Sequence, residues 1–547
     1  MGSGVLGIDL GTSQVKALVM DAGGEVLGRG RAGYRVVAPG EGRAETDPED
    51  WWRATVIAVG EALGEAVGGG ARGDRGAGPE IGAIAVAGQM HGVVLAGGDG
   101  TATRPAIVWL DRRASAEAAR YEELPAGLTA PLGNQPSPGM AGPILCWLVS
   151  HEPDAVRPAR WALQPKDWLR LRLTGLAATD PTDASGTLLF DVRRGAWAGG
   201  LIGALGLPEG KLPVIREPTE IAGRLLPGPA RELGLSPGIP VATGAADTAA
   251  ALYAANLESA PVASETSTGM DALDAGTPPG LAKAGTGVGV AAGTEREGGG
   301  GGGYALLIVG TGGQWVVPEA GFRPAANTHL FRAVDAGFYR LAPLQNAGTA
   351  LDWVRGLFGV SWQELYDTAA RPWRTDTPVF LPYLARERWD PVTTGTWSGL
   401  TLSHQPGDLL RSALEGVAFL IRRRLEDLRA AGHHPEAAIV GGGGATHPAW
   451  RQLLADALGM PLHPADTSWL SPAGAARLAA AATGMEGAGD ARARSGYGRA
   501  VPVVPREPDA ASAGYARFTH KLAASEIGPL RRDERKVQRD NHPHGRR

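Results

Sequence analysis

Short apolar runs separated by turn residues open the chain. Residues 5–8, 15–20 and 26–31 favour strands, and Gly, Thr, Ser and Asp lie between them. A helical pattern follows, in which Asp47 is expected to cap the helix and Pro48 to take its first position. A further apolar run at 81–87 predicts a buried strand. This β-β-β-α-β order predicts an α/β lobe.

A similar order of elements recurs in the second half of the chain. A strand is expected near 239–243, a strand-turn-strand unit over 304–317, a helix over 408–431, a strand over 437–440 and a helix over 447–458. We therefore predict an N-terminal lobe over 1–240 and a C-terminal lobe over 241–505. A helix is expected over 506–530.

Two segments are predicted to lack stable structure. Residues 258–303 are rich in Gly, Ala, Thr and Pro and end in six consecutive glycines, which favours a flexible insertion. Residues 531–547 are charged and contain no aromatic residue, as is typical of a disordered tail.

Composition narrows the class of protein. A chain of 547 residues exceeds what one hydrophobic core supports, and 43% hydrophobic with 20% charged residues is ordinary for a folded enzyme. The formal charge of -4 argues against nucleic acid or a membrane surface as a partner. The single cysteine, Cys146, excludes an intrachain disulfide. With no signal peptide or membrane-length apolar run in view, a cytoplasmic location is expected.

The turn between the first two strands carries the strongest chemical signal. Asp9 ends a strand and is followed by Gly11, Thr12, Ser13 and Lys16. Glycine lets backbone amides approach phosphate oxygens, hydroxyl and ammonium groups add donors, and a carboxylate there can hold hydrated Mg²⁺. The alternative interpretation is an ordinary hairpin with a polar turn.

Two later glycine turns extend this pattern. Gly310 and Thr311 lie in a turn between apolar strands, and Gly442 and Gly443 lie between a strand and a helix. The first turn is expected to contact the phosphates of a nucleotide, and the second its sugar or α-phosphate. The first turn alone is explained equally well as a plain glycine turn, and the second alone is weak evidence, but three such turns after β-strands favour a phosphate site.

Asp247 is the candidate general base. It ends a buried strand and precedes an Ala-rich helix, where a carboxylate can accept the proton of an attacking hydroxyl. The alternative role is that of N-cap for a helix over 248–255.

The candidate sugar-binding residues follow other strand ends. Gln89, Met90 and His91 come after the strand 81–87, and Trp109 and Asp111 supply an aromatic plane and an acceptor. The alternative interpretation of Met90 and His91 is a core methionine and a hydrogen-bonded histidine without a ligand. The alternative for Arg112 and Arg113, which follow Asp111, is that both side chains are simply solvated.

These motifs together resemble the FGGY carbohydrate kinases over residues 5–523, apart from the insertion. The N-terminal part carries GIDLGTSQVK, GQMHG and PAIVWLDRRA, and the middle carries PKDWLRLRLTG, TDPTDASGTLLFD and GAADTAAA. The C-terminal part carries GTWSGL as the family's second signature, followed by GGGGATHPAWRQLLADALGMPL and SPAGAARLAA.

The resemblance implies an α/β fold with two ribonuclease H-like (actin-like ATPase) domains and a central cleft. It implies that ATP and Mg²⁺ are used to phosphorylate D-xylulose to D-xylulose 5-phosphate, with another ketose such as ribulose, or a polyol, as alternatives. It assigns the base to Asp247, Mg²⁺ to Asp9 through water, and the sugar to Met90 and His91. Trp109 and Asp111 are expected to line the sugar pocket, and a homodimer is a further expectation.

Three departures from the family pattern keep other functions open. The phosphate turn reads GTGGQ where the family commonly has GTS, Ile144 stands where a Lys is usual, and the insertion is additional. A catalytically weak sugar-binding regulator and an actin- or chaperone-like ATPase are the rival interpretations. Since no catalytic carboxylate is missing, an active kinase is predicted.

Overall fold

A computed structural model describes residues 3–68, 79–257, 303–485 and 501–526, except 336, 386, 388 and 390–393. The predicted tail lies outside these residues, as does the predicted insertion apart from Gly303.

The strands of the described residues number twenty-three. In chain order they are β1 (Ser3–Leu10), β2 (Gln14–Asp21), β3 (Val26–Gly33), β4 (Glu45–Thr46), β5 (Glu80–Gly88), β6 (Val94–Ala96), β7 (Ala106–Ile107), β8 (Trp161–Leu163), β9 (Ala178–Thr179), β10 (Phe190–Asp191), β11 (Ala196–Trp197), β12 (Val214–Ile215), β13 (Ile221–Arg224), β14 (Pro240–Ala242), β15 (Ala245–Ala246), β16 (Tyr304–Val309), β17 (Gly313–Glu319), β18 (His329–Arg332), β19 (Phe338–Leu344), β20 (Val379–Leu381), β21 (Thr396–Ser398), β22 (Ala437–Gly441) and β23 (Leu462–Pro464).

The α-helices of the same residues are α1 (Pro48–Gly68), α2 (Ser115–Ala119), α3 (Ala126–Thr129), α4 (Ala141–His151), α5 (Pro153–Val156), α6 (Pro165–Thr174), α7 (Pro181–Ala184), α8 (Gly199–Ala204), α9 (Pro227–Leu233), α10 (Asp247–Ala255), α11 (Gly348–Phe358), α12 (Trp362–Asp367), α13 (Pro406–Ala430), α14 (Pro448–Leu458), α15 (Leu470–Thr483) and α16 (Pro508–Glu526). Among these described helices, none combines the length and the apolar character that crossing a membrane requires.

The first sheet has the strand order β13-β14-β5-β1-β2-β3, and β15 also pairs with β5. β1 is antiparallel to β2 and parallel to β5. Its residues 4–10 are buried throughout, as expected for a central strand covered on both faces. Helix α1 packs on this sheet and begins as predicted, with Asp47 Oδ1 accepting a hydrogen bond from the Glu49 amide at 3.0 Å.

The second sheet repeats this arrangement. Its order is β18-β19-β17-β16-β22-β23, in which β16 is antiparallel to β17 and parallel to β22. The hairpin and parallel strand thus recur in both halves, and the predicted two-lobed α/β fold is confirmed. Helix α13 begins two residues before the predicted position 408, because Gln405 caps it and the Gln405 amide donates to Asp408 Oδ2 at 2.8 Å.

An apolar core joins the two sheets. It contains Ala85 and Ala246 of the first sheet, Leu306 and Tyr339 of the second, and residues of helices α10 and α15, including Ala476. Because α10 and α15 also pack on each other, these two helices connect the lobes.

The predicted boundary at residue 240 needs correction. β14 and β15 both pair in parallel with β5, so the first sheet extends through Ala246. A short apolar strand has the same pattern in either lobe, and only its pairing decides which sheet it joins.

Candidate active site

Asp9 lies at the carboxyl end of β1, where its side chain is buried at 5% exposure. The Ser471 hydroxyl at the start of α15 donates to Asp9 Oδ1 at 2.9 Å. Burial raises the pKa of Asp9 above its ordinary value, while the charge of Lys16 and the bond from Ser471 act against that rise. Lys16 itself donates to the Ser468 carbonyl oxygen at 2.8 Å. The predicted Mg²⁺ ligand and the lysine are therefore fixed by the second half of the chain.

The turn after Asp9 is held from several sides. The Gly11 amide donates to the Gln14 carbonyl oxygen at 3.1 Å, and the Tyr34 hydroxyl and Gln89 Nε2 donate to the Gly11 carbonyl oxygen. Gln89, predicted to contact sugar, thus braces the phosphate turn in this structure. Ser13, at the tip of the turn, is exposed.

Trp109 and Asp111 differ in what they contact. The Trp109 indole nitrogen donates to Thr12 Oγ1 at 2.9 Å and so joins the same turn. Asp111 is 1% exposed, and its carboxylate accepts from the Ala44 amide at 2.6 Å and from Arg113 Nε at 2.9 Å. Its acceptor positions are occupied by protein groups, which makes Asp111 a structural carboxylate here. Arg113 donates to Asp111 Oδ2 and is not solvated. Arg112 is exposed, which agrees with the alternative interpretation of that residue.

Asp247 is the first residue of α10 and follows Ala246, which pairs with Gly88 at the end of β5. Since β5 also pairs with β1 up to Leu10, Asp247 and Asp9 lie at the same edge of the sheet. The side chain does not act as the N-cap, a position taken by Ala246. Instead Asp247 Oδ1 accepts from the amide of the next residue, Thr248, at 2.6 Å.

The environment of Asp247 suits the general base that the sequence predicts. The residue keeps partial exposure, yet surrounding protein atoms desolvate its carboxylate. Burial, and after it the negative charge of Asp9, raise the pKa of Asp247 to about 7. Two bonds from Thr248 oppose that rise. A carboxylate with a pKa near neutrality accepts a proton more readily than an ordinary Asp.

This pKa has a measurable consequence for stability. A carboxyl group whose pKa is higher in the folded than in the unfolded chain binds more protons when folded. Its contribution to the free energy of unfolding therefore falls as pH rises from 3.8 to about 7. Asp247→Asn removes this loss. We expect the variant to exceed the wild type in Tm by more at pH 8 than at pH 4, measured by thermal denaturation. An equal Tm difference at both pH values would contradict the raised pKa.

Met90 and His91 lie beside the same edge and contact the second lobe. The Tyr339 hydroxyl donates to Met90 Sδ at 3.7 Å, and the His91 ring lies 6.0 Å from the Phe331 ring. His91 has a φ of 76°, and its amide donates to Gln164 Oε1 at 2.9 Å. Its Nδ1 is 2.7 Å from the Gly186 carbonyl oxygen, which in a neutral ring places the proton on Nδ1 and leaves Nε2 as the acceptor.

Gly186 is required by this close approach. A Cβ at that position would lie 2.7 Å from Met90 Cε and 2.8 Å from His91 Nδ1. The predicted sugar-contacting pair is thus packed directly against the segment that follows α7.

The second glycine turn is anchored to helix α11. The Gly348 amide donates to the Gly310 carbonyl oxygen at 3.0 Å, and the Thr349 amide to the Thr311 carbonyl oxygen at 2.8 Å. Gln314 Nε2 reaches Thr248 Oγ1 at 3.4 Å, which connects the turn to the helix of Asp247. Gly312 stands where the GTS turn of the family has serine. A Cβ at this position would lie 2.8 Å from the Leu344 carbonyl oxygen, so the Leu344 backbone leaves too little room for a side chain.

The third turn lies beside the second. β16 pairs with β22 in parallel, with Ile308 opposite Gly441, so the turns containing Gly310 and Gly442 leave the same edge of the second sheet. Gly443 begins a short 3₁₀ turn that precedes α14. Ligands of α/β sheets bind outside the carboxyl ends of parallel strands, where both glycine turns lie.

Three residues of this site carry no signal in the sequence. They contact predicted site residues across 23 to 249 positions of the chain and are Tyr34, Gln164 and Tyr339. Gly186 and Ser471, by contrast, lie inside motifs that the sequence singles out, TDPTDASGTLLFD and SPAGAARLAA, and Ser471 reaches Asp9 across 462 positions.

Comparison with known proteins identifies the family. Residues 4–254 match the N-terminal domain of the FGGY family of carbohydrate kinases, and residues 305–483 match its C-terminal domain. The chain belongs to this family and is a sugar phosphotransferase. FGGY kinases use ATP as the phosphate donor.

Individual relatives agree with this assignment. A xylulose kinase of Escherichia coli is 33% identical over 490 residues, which cover 88% of this chain and 90% of that protein. The structure of a xyloylose kinase from Brucella ovis is 28% identical, with a TM-score of 0.78 and coverage of 95% of this chain and 99% of that one. A gluconate kinase from Lactobacillus acidophilus has a TM-score of 0.79 at 22% identity, covering 96% and 99%. The fold alone therefore does not select the sugar.

Proposed function

We propose that this protein transfers the γ-phosphate of ATP to a hydroxyl of D-xylulose, forming D-xylulose 5-phosphate. The observation that carries the proposal is the sheet edge shared by two carboxylates, Asp9 and Asp247, where the predicted phosphate turn and the Met90 and His91 pair also follow strand ends. The choice of xylulose follows relatives named xylulose kinase at 29 to 33% identity.

Asp247 acts as general base in this proposal. With a pKa of about 7 it is largely ionised at slightly alkaline pH, and it takes the proton of the sugar hydroxyl as that oxygen attacks phosphorus in line. His91 orients the sugar in this proposal, and its own position is held by the bonds of its amide to Gln164 and of Nδ1 to the Gly186 carbonyl oxygen. Backbone amides of the turns at Gly11 and Gly310 stabilise charge on the transferred phosphoryl group.

The residues around Asp9 fit a hydrated Mg²⁺. The carboxylate is desolvated, only Oδ1 is engaged by Ser471, and the Lys16 ammonium is directed to the Ser468 carbonyl oxygen. Bound Mg²⁺ would neutralise phosphate charge. A cytoplasmic location and a homodimer remain predictions.

A sugar panel tests the substrate. Purified protein with ATP and Mg²⁺ is assayed for ADP release on D-xylulose, D-ribulose, gluconate and glycerol. We expect kcat/KM for D-xylulose to exceed the others by about tenfold or more, because pocket contacts discriminate between similar substrates by 10- to 200-fold. Another sugar as best substrate would change the assignment. Sugar binding by calorimetry without ADP release would instead favour a regulatory protein.

A further inference from the structure

A group of buried charges lies beside the site and takes no part in the proposed chemistry. The ammonium of Lys166, at the start of α6, is 2.5 Å from Asp167, 2.6 Å from Asp180 and 3.3 Å from Asp183. Arg170 Nη1 adds a contact to Asp167 Oδ1 at 3.1 Å. Lys166, Arg170 and the three carboxylates are 0% exposed. We call these five residues the Lys166 cluster.

The Lys166 cluster does not resemble a metal site. Its three carboxylates lie close enough together to hold a cation, but the Lys166 ammonium already occupies the position between them. Burial alone would lower the pKa of Lys166, yet the three carboxylates outweigh burial and hold the pKa above its ordinary value. The ammonium therefore remains charged and joins α6 to α7.

One side of the cluster reaches the strand that leads to the base. Arg170 Nη1 donates to the Thr243 carbonyl oxygen at 2.6 Å. Thr182 donates to Asp180 Oδ1 and accepts from the Ala246 amide at 2.8 Å. Cluster-linked groups thus hold the backbone at both ends of the short segment that precedes Asp247.

The other side reaches the sugar-contacting pair. Gln164, two residues before Lys166, receives the His91 amide, and Gly186, three residues after Asp183, faces His91 Nδ1. Ser185, which precedes Gly186, accepts a hydrogen bond on Oγ from the Arg332 amide of the second lobe at 3.1 Å. The two segments that the ammonium ties together are the same two that hold His91, one at its amide and the other at its ring.

We propose that the Lys166 cluster is a positioning unit that sets the sugar-orienting His91 and the base Asp247 relative to each other. This inference rests on the proposed function of those two residues. Lys166 and its partners touch neither reacting group, and they act through Gly186, Gln164 and Thr182. A displacement of about 1 Å at the reacting groups costs on the order of 100-fold in rate.

Thr182→Val cuts the connection to the base with little change in volume. We expect kcat for sugar phosphorylation to fall on the order of tenfold or more, with the KM for sugar changed by less, since His91 keeps its partners. Thr55→Val is the matched control, because Thr55 is equally buried and bonds only within α1. The control should retain wild-type kcat.

Lys166→Met/Asp183→Asn tests the cluster itself and leaves its formal charge unchanged. We expect kcat/KM for sugar to fall on the order of 100-fold, while the Kd for ADP stays within about twofold. Arg411→Met, which removes a buried cation of the second lobe, should lower Tm without changing the sugar KM. If the double variant does not fold, Thr182→Val decides.

A spectroscopic readout separates this inference from the proposed function. The ¹⁵N signal of the His91 ring, assigned with His91→Gln, should change in Lys166→Met/Asp183→Asn and stay unchanged in Arg411→Met. If the wild type phosphorylates no sugar, the proposed function fails and this signal alone tests the cluster. A folded Lys166→Met/Asp183→Asn variant with an unaltered His91 signal or with wild-type kcat/KM would overturn the inference, as would a Thr182→Val variant with wild-type kcat.

Discussion

Asp247→Asn is expected to lower kcat for sugar phosphorylation by about 100- to 10,000-fold, the range that general bases contribute. The substitution keeps the shape of the side chain and its place at the start of α10 but removes the proton acceptor. Steady-state ADP release in the presence of sugar measures the effect.

The predicted nucleotide site supplies the control for this prediction. The turns at Gly310 and Gly442 are anchored by backbone bonds that do not involve Asp247, so the Kd for ADP should stay within about twofold. A variant with near-normal kcat would remove Asp247 from the role of base. A variant that loses ADP binding as well would indicate structural damage.

Asp9→Asn is expected to raise the Mg²⁺ concentration needed for half-maximal rate by about 10- to 100-fold, the usual effect of losing a group that acts on a metal through water. The Ser471 hydroxyl keeps an acceptor in the amide oxygen, which preserves local packing. A Mg²⁺ titration of the initial rate measures the change, and Ser471→Ala is the milder comparison.

The same variant also alters the pH profile. The charge of Asp9 helps to raise the pKa of Asp247 to about 7, and removing that charge lowers it. In the wild type, kcat/KM should rise with pH through about 7, and in Asp9→Asn this rise should shift to lower pH. An unshifted profile would contradict the coupling between the two carboxylates.

The strands and the residues that follow them could be predicted from the sequence. Asp9 and Asp247 each end an apolar run, and parallel pairing then brings both to one edge through β5. The recurrence of strand, turn and strand in both lobes could be predicted because each strand is an apolar run bounded by turn residues. Local patterns decide local structure, and strand ends of a parallel sheet converge.

What could not be predicted depends on contacts distant in sequence. Asp111, a predicted acceptor for sugar hydroxyls, instead accepts hydrogen bonds from the Ala44 amide and from Arg113 in this structure. Ser471 reaches Asp9 across 462 positions, and no periodicity encodes that contact. The predicted lobe boundary lies too early because a three-residue strand such as β14 has no pattern of its own that assigns it to a sheet. Only its pairing with β5 shows that it belongs to the first sheet.

The transfer of phosphorus from ATP to sugar can be followed directly. Protein, ATP, Mg²⁺ and D-xylulose are incubated together, and ³¹P NMR identifies the phosphorylated species. We expect ADP and a ketose 5-phosphate in equal amounts, with both formed about 100- to 10,000-fold more slowly by Asp247→Asn. ADP accompanied by inorganic phosphate alone would contradict this expectation, because ATP would then be hydrolysed and no sugar phosphorylated.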